Sequence, residues 1–104
     1  DYLHYHLHEK ITVPILAEHV HLNPTYLSEL FARETGTTIS QYVTDKRMEA
    51  AENMLKYSEY GFAEIARILA YRSQSHFTKV FKKHSGMTPG EYRRKYAQAG
   101  IWPE

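Results

Sequence analysis

"LNPTYLSELFARETG", residues 22–36, returns in altered form as "YRSQSHFTKVFKKHSG", residues 71–86. In the first stretch Asn23 offers a capping side chain and Pro24 a backbone already set for the first helical turn. Leu27, Leu30 and Phe31 then recur at three- and four-residue spacing until Gly36, a residue suited to the left-handed conformation that ends helices. The second stretch has the same grammar, with Ser73 as cap, Phe77, Val80 and Phe81 inward, and Gly86 as terminator. Leu27, Phe31, Gly36, Thr38 and Tyr42 stand fifty positions before Phe77, Phe81, Gly86, Thr88 and Tyr92. Upstream, Ala17 and Ala66 are forty-nine apart, so the second corner carries one extra residue. A short helix, a sharp corner and a second helix occur twice, with a small residue where steeply crossing helices must approach.

The intervening chain completes an all-α pattern of about seven helices. A short helix is expected from Tyr2 to about Glu9, with Leu3 and Leu7 on one face. "TVPILAEHV" follows, with Thr12 capping, Pro14 in the first turn, and Val13, Leu16, Ala17 and Val20 inward. Thr38 and Gln41 form a capping box before a long helix whose apolar side holds Ile39, Tyr42, Val43, Ala51, Met54 and Leu55. "YSEYG" interrupts, and Phe62, Ile65, Ala66 and Leu69 mark the inward face of the next short helix. Thr88, Pro89, Gly90 and Glu91 supply another capping box, while "AQAGIWPE" has no periodicity and is expected to fray.

The totals narrow the function. At 104 residues the chain is one domain, or two half-sized units, and must pack economically. With no cysteine there is no disulfide framework, thiolate metal site or cysteine nucleophile, and a cytoplasmic location is expected. No apolar run is long enough to span a bilayer, and the first residues lack the form of a signal peptide. The net charge of +1 conceals an asymmetry: residues 1–52 carry four Lys/Arg against eight Asp/Glu, and residues 53–104 nine against four. Between Arg67 and Lys95 eight cations face the single acid Glu91, which points to a polyanionic partner.

Removing the core positions leaves the outward faces. Thr25, Ser28, Glu29 and Ala32 remain on the first second-helix, and Gln74, Ser75, Thr78, Lys79 and Lys82 on its counterpart. Such side chains suit base edges: Gln for adenine, Lys for guanine, Glu for cytosine, with Ser and Thr adaptable. Helix N-termini at Thr38 and Thr88 offer backbone N–H groups to phosphate. Glu29 either reads a base or pairs with Arg33 four residues on; Arg47 either reaches a phosphate or pairs with a nearby acid. His4 and His8 are four apart, but nothing is placed to complete a metal set, so no metal and no cofactor are expected. Tyr42, Tyr92, Phe31, Phe77 and Phe81 read as core aromatics, not stacking platforms. No nucleophile motif, nucleotide loop or catalytic carboxylate pair marks an enzyme.

Across nearly its whole length, in "LNPTYLSELFARETG", "QYVTDKRMEAAENML" and "EIARILAYRSQSHFTKVFKKHSGMTPGEYR", the chain resembles the AraC/XylS family of transcription regulators. The first wording is most similar to members joined to a receiver domain. The resemblance implies a first helix-turn-helix subdomain at 1–38, a linker helix at 39–56, a second subdomain at 57–96 and a tail at 97–104. It implies sequence-specific double-stranded DNA binding, with two recognition helices entering adjacent major grooves of an asymmetric or direct-repeat site. Base contacts are then expected from Thr25, Ser28, Glu29, Gln74, Ser75, Thr78 and Lys79. Phosphate contacts are expected from Thr38, Ser40, Arg47, Arg72, Lys82, Lys83 and Thr88. The family's usual Gly-Phe pair in the second corner is Ala70-Tyr71 here, which bears on the tightness of that turn. RNA polymerase is a further candidate partner, and the parent protein is expected to carry an N-terminal sensory or receiver domain. The competing class is a helical protein-interaction module whose basic face binds an acidic partner.

Overall fold

The computed structural model describes residues 6–97, which contain α1 (Val13–His19), α2 (Pro24–Thr35), α3 (Ile39–Tyr57), α4 (Phe62–Ile68), α5 (Gln74–Ser85) and α6 (Pro89–Tyr96). There is no strand among the described residues. Half of the element expected from Tyr2 to Glu9 lies outside them, as does most of the tail.

Capping side chains set the helix starts, because the first amides of a helix have no partner within it. Thr12 Oγ1 accepts from the Ile15 amide at 3.3 Å, and Asn23 Oδ1 accepts from Thr25 and Tyr26 at 2.8 and 3.2 Å. Ser73 Oγ accepts from His76 at 3.1 Å. Thr88 and Glu91 form the full reciprocal box, at 2.9 and 3.1 Å. The box expected at Thr38 is half formed. Its hydroxyl accepts from the Gln41 amide at 3.0 Å, but the Gln41 side chain reaches forward to Asp45 Oδ1 at 2.9 Å instead of back.

The two corners are built alike. Leu22 and Tyr71 each donate to the carbonyl of an alanine five residues earlier, Ala17 and Ala66, at 2.9 Å. His21 and Ala70 bond three residues back, to Glu18 and Arg67, which completes a paired helix-ending motif at both places. That motif requires a left-handed residue, and φ is +62° at His21 and +66° at Ala70. The Ala70-Tyr71 departure thus leaves the turn intact, at the steric cost of a Cβ in the left-handed region. Gly36 and Gly86, at +77° and +84°, end α2 and α5 without that cost.

The chain divides into two units, Asp1–Lys46 and Arg47–Glu104. In the first, Leu16, Ile39 and Val43 form a small buried cluster, with Leu27, Phe31 and Tyr42 packed against it only half-buried. Helix α2 buries none of its residues fully, and Val20, expected inward, is 47% exposed because it sits at the C-cap, past the last helical turn. In the second, Met48, Ala51, Leu55, Ile65, Leu69, Phe77, Phe81 and Tyr92 surround Ala66 in a continuous core. Each large side chain removed from water contributes about 1.5–3 kcal/mol, so the second unit has the stronger hydrophobic anchorage. The duplication reaches side-chain packing. Phe31 meets Tyr42 edge-on at 5.3 Å, and their counterparts Phe81 and Tyr92 do so at 5.4 Å.

Candidate nucleic-acid interface

In the second unit, Phe77 and Phe81 are fully buried, so the opposite side of α5 must face solvent. Gln74, Ser75, Lys79 and Lys82 are exposed there, with Thr78 half-buried beside them. At about 100° per residue these five positions cover an arc of roughly 140°, broad enough for a groove-facing surface. Lys83 is also exposed, and the last turn gathers Lys82, Lys83 and His84, a favourable place for cations near the negative end of the helix. His84 lies 4.0 Å from Glu52.

The same register in the first unit exposes Thr25, Ser28 and Glu29 on α2. Glu29 forms no ion pair with Arg33 among the described residues, so the structural alternative for that carboxylate is not realised. Tyr26, half exposed, follows Thr25, and its counterpart in the second unit is the exposed His76.

The two helix N-termini expected to meet phosphate differ. At α3 the Thr38 hydroxyl takes the Gln41 amide, and among the described residues no side-chain carboxylate sits on the Thr38 amide; Ser40 is exposed in the first turn. At α6 the Glu91 carboxylate already accepts from the Thr88 amide, and Pro89 has no N–H to offer. This hydrogen bond from the Thr88 backbone holds the Glu91 carboxyl below its ordinary range, with Lys82 and Arg94 adding to the effect. An anion at that terminus would meet a carboxylate, so α3 has the more open of the two.

Arg47 and Arg72 come together although they are twenty-five residues apart in sequence. Both line a cleft at the start of α5 with Ala70, Tyr71, Ser73 and His76. The Arg47 guanidinium lies over the Tyr71 ring at 5.8 Å, and the His76 ring meets the same tyrosine edge-on at 5.4 Å. Burial lowers the Arg47 pKa and raises that of the Tyr71 phenol, each shift partly opposed by the other group.

Arg93 belongs to the basic run in sequence but not to the exposed surface. Its Nε donates to Leu55 O at 3.1 Å, its Nη2 to Met54 O and Ser58 O at 3.4 and 3.3 Å, and its guanidinium covers the Phe62 ring. It therefore satisfies the last carbonyls of α3. His76 is the converse case, an exposed residue of the cleft whose one sequence signal is its alignment with Tyr26.

Residues 16–95 match the model of a family described as "Helix-turn-helix domain". The transcriptional regulatory protein YesN of Bacillus subtilis, itself uncharacterised, is 42% identical over 80 residues, covering 75% of this chain and 22% of YesN. The C-terminal domain of AraT, a response regulator from Geobacillus stearothermophilus, superposes with a TM-score of 0.92 at 31% identity, covering 99% of this chain and 86% of that one. The DNA-binding domain of AdpA, a global transcriptional factor crystallised with a target DNA, does so with a TM-score of 0.85 at 27% identity, covering 95% and 87%. The chain spans 12% to 38% of the length of the first curated relatives it matches.

Proposed function

This chain belongs to the AraC/XylS family of helix-turn-helix transcription regulators, and from that premise we propose how it divides the recognition of double-stranded DNA between its two units. The observation that carries the reading is the polarity of α5, whose buried phenylalanines oppose an exposed arc of Gln74, Ser75, Lys79 and Lys82. In the second unit Gln74, Ser75, Thr78 and Lys79 read base edges in one major groove, while Arg72, Lys82 and Lys83 hold its phosphates. In the first unit Thr25, Ser28 and Glu29 face the neighbouring groove, with Glu29 accepting from a cytosine amino group, and the α3 N-terminus at Thr38 and Ser40 receives a phosphate. Thr88 contributes only through its hydroxyl, its amide being engaged by Glu91. Arg47 adds a phosphate contact from the linker helix.

The first subdomain is assigned to residues 1–38, the linker helix to 39–56, the second subdomain to 57–96 and the tail to 97–104. Two units in one chain favour an asymmetric or direct-repeat site about one helical turn long between centres. The likeness to response-regulator C-terminal domains supports an N-terminal sensory or receiver domain in the parent protein. RNA polymerase is proposed as a second partner. Action is by non-covalent binding in the cytoplasm; no helix of the described residues is long and apolar enough to cross a membrane.

Binding to random duplex across a salt titration, followed by selection from a random-sequence pool, tests this. A steep salt slope together with an enriched sequence is the expected result. A steep slope with no enriched sequence would assign the basic face to an acidic protein partner instead.

A further inference from the structure

We propose that copies of this chain bind tandem sites cooperatively, a tyrosine patch on one copy's second unit receiving the α1 face of the next copy's first unit. The proposal rests on the DNA-binding reading above and uses no residue assigned there to the duplex. The patch lies where the end of α3 is tied to α6 by Arg93. Tyr57 and Tyr96 remain 43% and 39% exposed there, and the Tyr96 ring is 4.6 Å from that of the buried Tyr92. Burial raises the Tyr92 phenol, and Glu52, Tyr96 and Tyr57 raise it further, which groups these side chains about one hydroxyl. Lys56 lies over the Tyr57 ring and Lys95 over the Tyr96 ring, each ammonium 5.4 Å from the ring centre. The Glu52 carboxylate is 4.0 Å from His84. Tyrosines flanked by ammonium groups offer apolar area and positive charge together, which suits a protein surface that is both apolar and acidic.

The first unit supplies such a surface. Among the described residues Ile15 and Val20 are the exposed large aliphatic side chains, and both belong to it. Glu18 is exposed three residues after Ile15, hence beside it on α1. The charges agree: Asp1–Lys46 holds three Lys/Arg against six Asp/Glu, and Arg47–Glu104 ten against six. Both surfaces stay exposed within a single chain, so each is left for another copy. Because two different surfaces meet, the contact is heterologous and repeats along a row of sites instead of closing a two-fold pair. A few side chains bury well under the roughly 800 Å² per partner of a stable complex, so free copies are expected to stay apart. On a duplex, neighbouring copies face each other at an effective concentration on the order of mM, and the same weak contact becomes cooperativity.

The test uses the intact chain and duplexes carrying its selected sequence once or twice, the two sites in direct or inverted order at a series of spacings. Cooperativity is read as the ratio of second-site to single-site affinity for the same protein, which cancels any general change in attraction to DNA. Direct repeats are expected to show about tenfold cooperativity at one spacing, recurring roughly 10.5 bp further on, and inverted repeats none. Tyr57→Ala should abolish it and leave single-site affinity unchanged. Glu18→Lys should abolish it, as should Lys95→Glu, chosen because Lys95 is exposed where Lys56 is half-buried. The two charge reversals combined in one chain should restore it, since each copy then presents the swapped pair to the next. No cooperativity at any spacing, equal cooperativity on inverted repeats, or no restoration by the double substitution would overturn the contact, while intact single-site binding leaves the DNA-binding reading standing. Loss of single-site affinity in Tyr57→Ala would assign the patch to the duplex and reject the second copy. Wild-type protein that binds no single site would overturn both readings.

Discussion

Arg93 Nε donates a hydrogen bond to the Leu55 carbonyl oxygen at 3.1 Å, across a separation of thirty-eight residues, and so ties α6 to the last turn of α3. The same guanidinium reaches the Met54 and Ser58 carbonyls. A cation there gives the Leu55 and Ser58 carbonyls a charged donor, adds to the Ser58 amide and hydroxyl already bonded to the Met54 carbonyl, and opposes the negative end of the helix dipole. Replacing Arg93 with alanine is expected to destabilise the protein by about 1.5–3 kcal/mol, the range for hydrogen bonds to a charged group. Lysine should restore only part of it, lacking the planar fork that serves several carbonyls. Urea denaturation gives the stability change. Because Arg93 is engaged within the fold, the salt slope of DNA binding should hardly move, in contrast to the neighbouring lysines.

Those lysines make the opposite prediction. Lys82 and Lys83 are exposed in the last turn of α5 and contribute nothing to the core. Converting both to alanine should leave the melting temperature nearly unchanged and reduce the magnitude of the log–log salt slope by about 0.9 for each phosphate that is no longer neutralised. An unaltered slope would show that neither side chain reaches the duplex.

Ala70 occupies a left-handed conformation at φ +66°. A Cβ there costs about 1–2 kcal/mol, while glycine returns about 0.4–1 kcal/mol of that through the greater freedom of its unfolded chain. Ala70→Gly is therefore expected to stabilise the protein by about 0.5–1 kcal/mol, seen as a rise of a few degrees in melting temperature.

Glu91 holds its proton less readily than an ordinary glutamate because its ionised form accepts from the Thr88 amide. A carboxyl whose pKa is lowered on folding adds stability above its unfolded pKa, and that contribution disappears as pH falls through the folded value. The NMR titration midpoint of Glu91 should thus lie below 4.5, its reference value. Glu91→Gln should flatten the acid limb of the stability profile; a midpoint at or above the reference would contradict the observed capping geometry.

Leu27 and Phe77 hold equivalent places in the repeat but not equivalent burial: Phe77 is fully enclosed, and Leu27 only half so. Phe77→Ala should cost about 3–5 kcal/mol, and Leu27→Ala less than about 2 kcal/mol, because a partly exposed site leaves a smaller cavity. Amide exchange should likewise be faster in α2 than in α5, matching the thinner apolar packing of the first unit.

Much of this architecture is legible in the residue order because its signals are local. Asn23, Ser73 and Thr88 announce helix starts, and Gly36 and Gly86 announce ends, through chemistry confined to one or two turns. Met48 is hidden from such a reading for a related reason. Five residues separate it from Val43, so it falls off the stripe that Ile39 and Val43 begin, and it is buried in the second unit's cluster, not the first's.

What the sequence by itself determined is the set of six described helices, their repeat relationship and the exposed arcs of α2 and α5, since spacing dictates which side chains share a helical face. Only the tertiary structure decided the fate of individual charges. Arg93 and Arg94 are adjacent and chemically identical, yet Arg93 is turned onto carbonyls thirty-five or more residues away while Arg94 remains exposed. Arg47 meets Tyr71 and shares a cleft with Arg72 only once α3 and the second corner have packed together. A charge has no preferred direction written into its own residue type; the partner that captures it is set by long-range packing, which no local pattern encodes.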